Sequence, residues 1–277
     1  MPSRRGSPPG APVSSARRVF ALLGDPVAHS LSPLMHAAAF ESLGVAAIYA
    51  PVRTGPESVP LLMRALADAG GGGNVTIPHK HSAAGALDEP RGAARILDAC
   101  NTFWAEDGRL VGDNTDVAGV QAAVRDLDLR DGPWLIIGTG GAARAVAAAA
   151  ARRGAGIAVR SRTAAAADAF MAWASGLGLP SAQGADCVLA VNATPLGLRD
   201  DRHPISLDDT PAAAAVLDLV YRAGETAWVR AARRRGLRAA DGRGVLVAQG
   251  AAALTRWFPG VEPPLTAMRA VVDAALG

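Results

Sequence analysis

Cysteine, lysine and aromatic residues are scarce in this chain of 277 residues. Only Cys100 and Cys187 are present, which excludes a disulfide framework in a chain of this length, so we expect two buried, reduced thiols in a cytoplasmic protein. Aromatic residues make up 4% of the chain and alanine is abundant, which favours helices packed closely on a sheet. No apolar run approaches the roughly 20 residues that cross a bilayer, so no membrane segment is expected.

Positive charge is concentrated at the beginning of the chain. The formal net charge is +3, but residues 1–18 contain four arginines and no acid, so the rest of the chain has a net charge of −1. Without an excess of positive charge, the rest of the chain gives no indication of nucleic-acid binding. The first 18 residues are rich in Pro, Ser and Gly, which predicts a disordered tail without the apolar core of a secretory signal. Their Arg and Ser content leaves a transit peptide as an alternative.

The order of apolar strands and helical stretches predicts two α/β units with a boundary near Asp116. In the first unit, strands at 19–23, 47–54 and 73–77 alternate with helices, which predicts a mainly parallel sheet covered by helices. The second unit repeats this alternation up to residue 241. Two further helical stretches follow in 242–277, and either unit offers them a packing surface.

A glycine-rich turn stands between a strand and a helix in "LIIGTGGAARA". Gly138, Gly140 and Ala143 match the pattern G-x-G-x-x-A, in which the glycines allow a tight turn and a close approach of pyrophosphate. Free N–H groups at the helix start would then bind the phosphate oxygens. A purely structural turn is the alternative, but the strand–turn–helix context favours dinucleotide binding.

The strand after this helix ends in "AVRSRT", without the acid that usually binds the ribose hydroxyl of NAD. Arg160, Ser161, Arg162 and Thr163 stand there instead, and guanidinium and hydroxyl groups suit an anionic 2′-phosphate. The pattern therefore predicts NADP rather than NAD. A solvated loop is the alternative interpretation of both arginines.

Five polar segments remain: "HSLSP" (29–33), "NVTIPHK" (74–80), "CNT" (100–102), "GDNTD" (112–116) and "VLVAQGA" (245–251). Each has a plain structural explanation, since Ser32 before a proline could cap a helix, Asn101 could lie in a turn and Gln249 on a helix surface. Together they supply hydroxyl and amide groups with one lysine and one aspartate, which suits a small polyhydroxylated acid as ligand.

These segments resemble the shikimate dehydrogenase family. The matching stretches occur in the family's order from about Val19 onward: "GDPVAHSLSPLMH", "GGNVTIPHK", "ACNTFW", "DGRLVGDNTD", "IIGTGGAARA", "SRT", "NATPLG", "DLVYR" and "DGRGVLVAQGA". The resemblance implies an α/β substrate domain (19–115 with 242–277) with a mainly parallel sheet and a Rossmann-type NADP-binding domain (116–241). The C-terminal helices would pack back on the first domain.

The resemblance also implies an activity, the NADPH-dependent reduction of 3-dehydroshikimate to shikimate on the route to chorismate and the aromatic amino acids. Lys80 and Asp116 would be the catalytic pair. The implied substrate-binding residues are Ser30, Ser32, Thr76, Asn101, Asp116, Tyr221 and Gln249, with Ser30, Ser32 and Tyr221 at the carboxylate. The implied cofactor-binding residues are Gly138, Thr139, Gly140, Gly141 and Ala142 at the pyrophosphate, Ser161, Arg162 and Thr163 at the adenosine phosphate, and Leu219 and Gly242 at the nicotinamide.

The chain departs from the family's pattern at a few positions. Ser161 replaces a frequent Asn, Ala164–Ala167 occupy the stretch where a second phosphate-binding arginine often stands, and Arg243 is an addition near the cofactor. Weaker affinity for the 2′-phosphate is expected unless Arg160 substitutes. Ser32 favours shikimate over quinate. A quinate or aminoshikimate dehydrogenase, or a non-catalytic dinucleotide-binding sensor, are the alternative functions, and a homodimer is a mild expectation.

Lys80 is the only lysine in the chain. When a ketone is reduced, its oxygen needs a proton, and lysine, unlike arginine, can give one up. Burial and the helix start would lower its pKa and Asp116 would raise it, so both a hydrogen-bond donor and a proton carrier are open roles. Since a lysine is unfavourable at a helix start, we expect Asp116 to lie next to it. The five histidines form no persuasive metal site.

Overall fold

The computed structural model describes residues 17–210 and 212–277, which form two sheets with their surrounding helices. The predicted disordered tail lies outside the described residues up to residue 16, whereas Arg18 already belongs to the first strand. The strands are β1 (Arg18–Gly24), β2 (Ala47–Arg53), β3 (Gly72–Val75), β4 (Glu89–Pro90), β5 (Thr102–Glu106), β6 (Arg109–Asp113), β7 (Trp134–Ile137), β8 (Ile157–Arg160), β9 (Leu189–Asn192), β10 (Ala215–Asp218) and β11 (Arg238–Ala240). The helices are α1 (Ser32–Ser42), α2 (Val59–Asp68), α3 (Lys80–Gly85), α4 (Ala94–Leu97), α5 (Asp116–Asp126), α6 (Gly141–Arg153), α7 (Ala164–Gly176), α8 (Ala227–Arg234), α9 (Gly242–Trp257) and α10 (Leu265–Leu276).

The first sheet has the order β2-β1-β3-β5-β6-β4 and is mixed. The pairings β1–β2, β1–β3 and β4–β6 are parallel, as the alternation of strands and helices predicts, but β5 runs antiparallel to both β3 and β6. Strands β5 and β6 form a hairpin that turns at Asp107 and Gly108, which both have positive φ. An Asp-Gly pair is the usual sequence for such a two-residue turn.

Alternating residues of β1 fill cores on both faces of this sheet. Phe20 and Leu22 pack in one cluster with residues of α1, α9 and α10, among them Met35 and Met268. On the opposite face, the cluster around Leu23 includes residues of α2. The C-terminal helices therefore pack back on the first sheet, as the family resemblance implies.

The second sheet is entirely parallel, in the order β11-β10-β9-β7-β8. Helices α6 and α7 cover one face and α8 covers the other. Beyond β8 a further strand is reduced to a single bridge between Ile157 and Ser181, and the Gln183 side chain continues the ladder by accepting from Val159 N at 2.7 Å. The carboxyl ends of adjacent parallel strands meet at one edge, which is where such sheets bind ligands.

The two sheets are joined through close helix packing. Helix α5, which begins at Asp116, lies against α9 at Gly119, where a Cβ would stand only 2.7 Å from the Val245 carbonyl oxygen. A second contact joins α4 and α6, where the Arg144 guanidinium donates to the Leu97 carbonyl at 3.3 Å. Division of the chain at 115/116 and 241/242 stays a prediction.

Candidate active site

Lys80 is fixed on both sides by the backbone around it. It is the first residue of α3, as expected from the sequence. The preceding His79 is buried, and its Nε2 lies 2.6 Å from the Thr54 carbonyl oxygen. The Lys80 carbonyl accepts a hydrogen bond from Cys100 N at 2.8 Å. These contacts anchor the backbone of Lys80 at the start of α3, shortly after the end of β3.

The Lys80 ammonium forms an ion pair with Asp116 Oδ2, so the predicted proximity is observed. Both side chains are about one-fifth exposed, at 19% and 18%, so a small molecule can reach them. Asp116 is the first residue of α5, and its N–H donates to Asn114 Oδ1 at 3.1 Å. A carboxylate at a helix start is favoured by the helix dipole, whereas Lys80 at the start of α3 needs this partner.

Asn101 holds the other oxygen of this carboxylate. Its Nδ2 donates to Asp116 Oδ1 at 2.8 Å, and its Oδ1 accepts from the N–H and hydroxyl of Thr115 at 2.7 and 3.2 Å. The Thr115 N–H fixes the orientation of the amide, because only an oxygen can accept there. One N–H of Asn101 is left beyond these bonds, which makes it available for a ligand.

Two residues without a sequence-predicted role support Asn101 from behind. Asn74 Nδ2 donates to the Asn101 carbonyl at 3.0 Å, and the Tyr49 hydroxyl donates to Asn74 Oδ1 at 2.8 Å. Asn74 lies in the motif "NVTIPHK", which indicates a functional segment but does not predict the hydrogen bond to Asn101. Tyr49 carries no sequence signal, because its partner is 25 positions away.

Ser30, Ser32 and Tyr221 come together beside α1. Ser30 Oγ accepts from Ser32 N at 3.2 Å, and the Tyr221 hydroxyl lies next to Ser30 and the Leu31 backbone. Burial raises the pKa of Tyr221. Helix α1 begins without a side-chain cap, so the alternative interpretation of Ser32 as a capping residue is wrong. Three hydroxyls in one place can donate to a carboxylate.

Thr76 and Gln249 are each packed against a glycine of a neighbouring element. A Cβ on Gly24 would stand 2.3 Å from Thr76 Cγ2, so Thr76 packs against the end of β1. Gln249 is only 9% exposed and donates to the Leu246 carbonyl at 3.0 Å within α9. The alternative of an exposed helix residue is therefore wrong for Gln249. Its Cβ faces Gly119, one turn after Asp116.

The glycine turn has the shape that a dinucleotide requires. Gly138 has φ 111°, and its N–H donates to the Arg160 carbonyl at 2.8 Å. At Gly140 and Gly141 an added Cβ would meet nothing within 4 Å, so the space beside the start of α6 is open. Ala143 is fully buried, which allows the close packing of helix and strand. The free N–H groups of Thr139 to Ala142 thus suit an anionic diphosphate.

Comparisons with known proteins show the family of this chain. Family models described as "Shikimate dehydrogenase substrate binding domain" and "Shikimate 5'-dehydrogenase C-terminal domain" match residues 22–103 and 242–272. The NADP(+) shikimate dehydrogenase of Methylocella silvestris is 41% identical over 94% of this chain and 97% of its own, and that of Halobacterium salinarum 41% over 93% and 99%. The chain belongs to the shikimate dehydrogenase family.

Solved structures of this family have the same fold. A shikimate dehydrogenase crystallised with NADP+ matches at a TM-score of 0.87 and 31% identity, over 98% of this chain and 100% of that one. The enzyme of Thermus thermophilus, crystallised with NADP(H) and shikimate, matches at 0.84 and 38%, over 93% and 99%. The α/β fold with a Rossmann-type second sheet is therefore confirmed.

The adenosine end of the shikimate dehydrogenase site differs from the expectation at Arg160. Ser161, Arg162 and Thr163 follow β8, with Arg162 exposed and the Thr163 hydroxyl accepting from Ala166 N as the cap of α7. Arg160 instead lines a cavity of about 340 Å³ with Asp186 and Asp209. Ile157 and Val159 face α6, so strand alternation turns Arg160 to the opposite face. This placement favours Arg162 over Arg160 at the 2′-phosphate, and the assignment stays a prediction.

At the other end, Gly242 packs directly on the backbone of Leu219, where a Cβ would stand 2.2 Å from the Leu219 oxygen. The two residues thus form one wall next to β10. Arg243 turns away from it: its guanidinium pairs with Asp241 at 3.1 Å and reaches the Gly224 carbonyl. The added arginine thus holds the loop at Gly224 to the start of α9.

Other sequence predictions have mixed outcomes. Cys100 is buried, and burial raises its pKa to about 12, but Cys187 is only half-buried and that part of the expectation is wrong. Among residues 17–210 and 212–277 no cluster of metal-ligating side chains is present. No helix in the same residues is long and apolar enough to span a membrane.

Proposed function

We propose that this chain is an NADP-dependent shikimate dehydrogenase. It reduces 3-dehydroshikimate to shikimate, reversibly, on the route to chorismate and the aromatic amino acids, and it acts in the cytoplasm. The observation that carries the proposal is the Lys80–Asp116 ion pair, closed by Asn101 and reachable by a small molecule. The 41% identity to NADP(+) shikimate dehydrogenases supports the same reaction.

Lys80 and Asp116 manage the proton in this reaction. NADPH, when bound, supplies a hydride to the ketone carbon, and the ketone oxygen then needs a proton or a positive partner. Lys80 is the only amine available there, and its donors point to the space shared with Asp116. Asp116 holds the Lys80 amine in place, and Asn101 in turn fixes the Asp116 carboxylate through its second oxygen. Lys80 thus stabilises the developing oxyanion and passes the proton to it.

The hydroxyl and amide residues hold the substrate in position beside Lys80 and Asp116. Ser30, Ser32 and Tyr221 bind its carboxylate. The free N–H of Asn101 binds a ring hydroxyl, together with Thr76 and Gln249. An ordered ring places the carbonyl carbon toward the wall formed by Leu219 and Gly242, on the side of the second sheet.

The residues of the second sheet fit NADP. Thr139, Gly140, Gly141 and Ala142 hold the diphosphate through backbone N–H groups, and Gly138 makes the turn. Arg162 is the single cation at the 2′-phosphate, with the hydroxyls of Ser161 and Thr163 beside it. Leu219 and Gly242 border the nicotinamide.

Substrate and cofactor rates of the purified wild-type protein test this proposal. We expect the highest kcat/KM with 3-dehydroshikimate and NADPH, and lower values with the quinate- or aminoshikimate-related ketones. A higher value with either of those ketones would reassign the substrate. Binding of NADP without turnover of any of the three ketones would favour the sensor. We also expect a homodimer, which sedimentation of the same preparation measures.

A further inference from the structure

The wall beside the nicotinamide end is built on a buried carboxylate. Asp218, the last residue of β10, is 0% exposed. It pairs across the sheet with Asn192, which pairs in turn with Ile137, the residue before the glycine turn. Asp218 therefore lies two strands, or about 10 Å, from Ile137 at the same edge of the sheet. The next residue is Leu219.

Three neighbouring groups donate hydrogen bonds to the Asp218 carboxylate. Val220 N–H donates to Oδ1 at 3.1 Å. Asn192 Nδ2 donates to Oδ1 at 2.8 Å, and its orientation is fixed because its Oδ1 accepts from Thr194 N–H. The Thr226 hydroxyl already accepts a backbone N–H as the cap of α8, so its own proton points to Asp218 Oδ2, 2.7 Å away. The ionised carboxylate accepts all three bonds.

The charge on Asp218 has no cation to balance it. Burial raises the pKa of Asp218, and the three donors limit that rise. In the part of the chain that the structure describes, no arginine or lysine pairs with it: Arg222 binds Asp201 at 3.1 Å and Arg243 binds Asp241 at 3.1 Å. An anion that is shielded from water and unpaired acts over a longer range than an exposed one.

We propose that the charge of Asp218 shifts cofactor affinity toward the oxidised form. The inference rests on the proposed function, because it takes the nicotinamide to lie against Leu219 and Gly242. The nicotinamide ring carries a positive charge when oxidised and none when reduced, whereas the rest of the cofactor is the same in both. A nearby uncompensated anion therefore stabilises bound NADP+ and leaves bound NADPH almost unaffected.

Dissociation constants for NADP+ and NADPH, measured separately by calorimetry or fluorescence, test the proposal. Asp218→Asn keeps the shape and removes the charge. We take the charge of the nicotinamide to lie about 10 Å from Asp218, and unit charges at that separation and an effective dielectric constant of about 20 change an equilibrium roughly tenfold. We therefore expect the ratio of the NADP+ constant to the NADPH constant to rise about three- to twentyfold in Asp218→Asn.

Two control variants separate charge from local structure. Thr226→Ser removes one methyl group but keeps the hydroxyl that bonds the carboxylate, so the ratio should stay at the wild-type value. Asp200→Asn removes an exposed carboxylate that also bonds to loop backbone but is already paired with Arg202, and should not change the ratio either. An equal rise of both constants in Asp218→Asn, or the same ratio change in Thr226→Ser, would overturn the proposal.

The wild-type protein gives a second measurement that does not depend on the folding of a variant. We expect it to bind NADP+ at least as tightly as NADPH. Tenfold tighter binding of NADPH would contradict the role of Asp218 even if the enzyme is active. Binding of neither cofactor would instead remove the proposed function, and this inference with it.

Discussion

Arg160 and Arg162 are two positions apart, but only Arg160 belongs to strand β8. Their sequence context suggests a pair of arginines for one phosphate. Strand β8 ends at Arg160, so this residue follows the strand's alternation into the cavity beside Asp186 and Asp209. Arg162 lies past the strand end and is free of that constraint. The distinction depends on where the strand stops, which sequence patterns give only to within a few residues.

Arg162→Ala should therefore weaken NADPH binding without changing the binding of NADH. Loss of one charge-assisted contact to the 2′-phosphate corresponds to about ten- to a hundredfold in the dissociation constant. Arg160→Ala is the matched control and should leave both constants at their wild-type values. Equal effects of the two substitutions on NADPH would show that Arg160 also reaches the phosphate.

The network around Asp116 shows how far residue types alone can predict a site. Asn101, Thr76 and Gln249 are recognisable because amide and hydroxyl groups cluster in motifs. Asn74 and Tyr49 were not predicted, because their value lies in a buried hydrogen-bond chain between distant strands. The apolar pattern of the sequence identifies Tyr49 only as a buried strand residue.

At the scale of elements, the parallel parts of both sheets follow from alternating strands and helices. The hairpin of β5 and β6 was missed, although Asp107-Gly108 is a strong turn signal. Each strand has only five residues and overlaps a polar segment, "CNT" or "GDNTD", which interrupts the apolar alternation that identifies a strand. The consequence is structural: the hairpin carries Asn101 and Asp113 next to β3 and α5.

The start of α6 gives a prediction for one element. Gly140 has φ −82° and open space around its Cβ position, so Gly140→Ala should fold with wild-type stability. The added methyl group occupies the space that the diphosphate needs, so affinity for NADP+ and NADPH should fall by at least about tenfold. Calorimetry of binding and thermal unfolding measure the two effects.

Gly176→Ala is the control for this substitution. Gly176 also has open space around it, at the exposed end of α7, away from the glycine turn. It should keep both stability and cofactor affinity. If Gly140→Ala retains full affinity, the diphosphate does not lie at the start of α6.

At the scale of the whole molecule, the first sheet and the C-terminal helices share one core around His36. This histidine is 0% exposed, its ring stacks on Tyr49 at 4.5 Å and lies 5.0 Å from Trp257. Neither ring nitrogen has a hydrogen-bond partner among the described residues. Elements from both ends of the chain meet at this imidazole, so its protonation affects the entire fold.

Acid should destabilise the protein through His36. Burial lowers its pKa from 6.5 to about 3, so the unfolded chain binds a proton below pH 6.5 that the folded protein rejects until about pH 3. The stabilising contribution is complete above pH 6.5 and is lost as the pH falls. Between about pH 7.5 and pH 5 this loss amounts to about 2 kcal/mol of unfolding free energy.

Urea unfolding at these two pH values measures the effect. His36→Leu should reduce the difference between them by about 2 kcal/mol, because the apolar residue binds no proton in either state. His203→Gln, at an exposed histidine outside this core, serves as the matched control. An unchanged difference in His36→Leu would show that other groups cause the acid sensitivity.

In the proposed function, Lys80, paired with Asp116, serves the reduction of 3-dehydroshikimate. The most direct test is the steady-state rate of Lys80→Ala with 3-dehydroshikimate and NADPH, alongside His81→Ala as a neighbouring control on the same helix. We predict that kcat falls by about a hundredfold or more in Lys80→Ala, with an unchanged dissociation constant for NADPH, while His81→Ala keeps the wild-type rate. A wild-type kcat in Lys80→Ala would contradict the account.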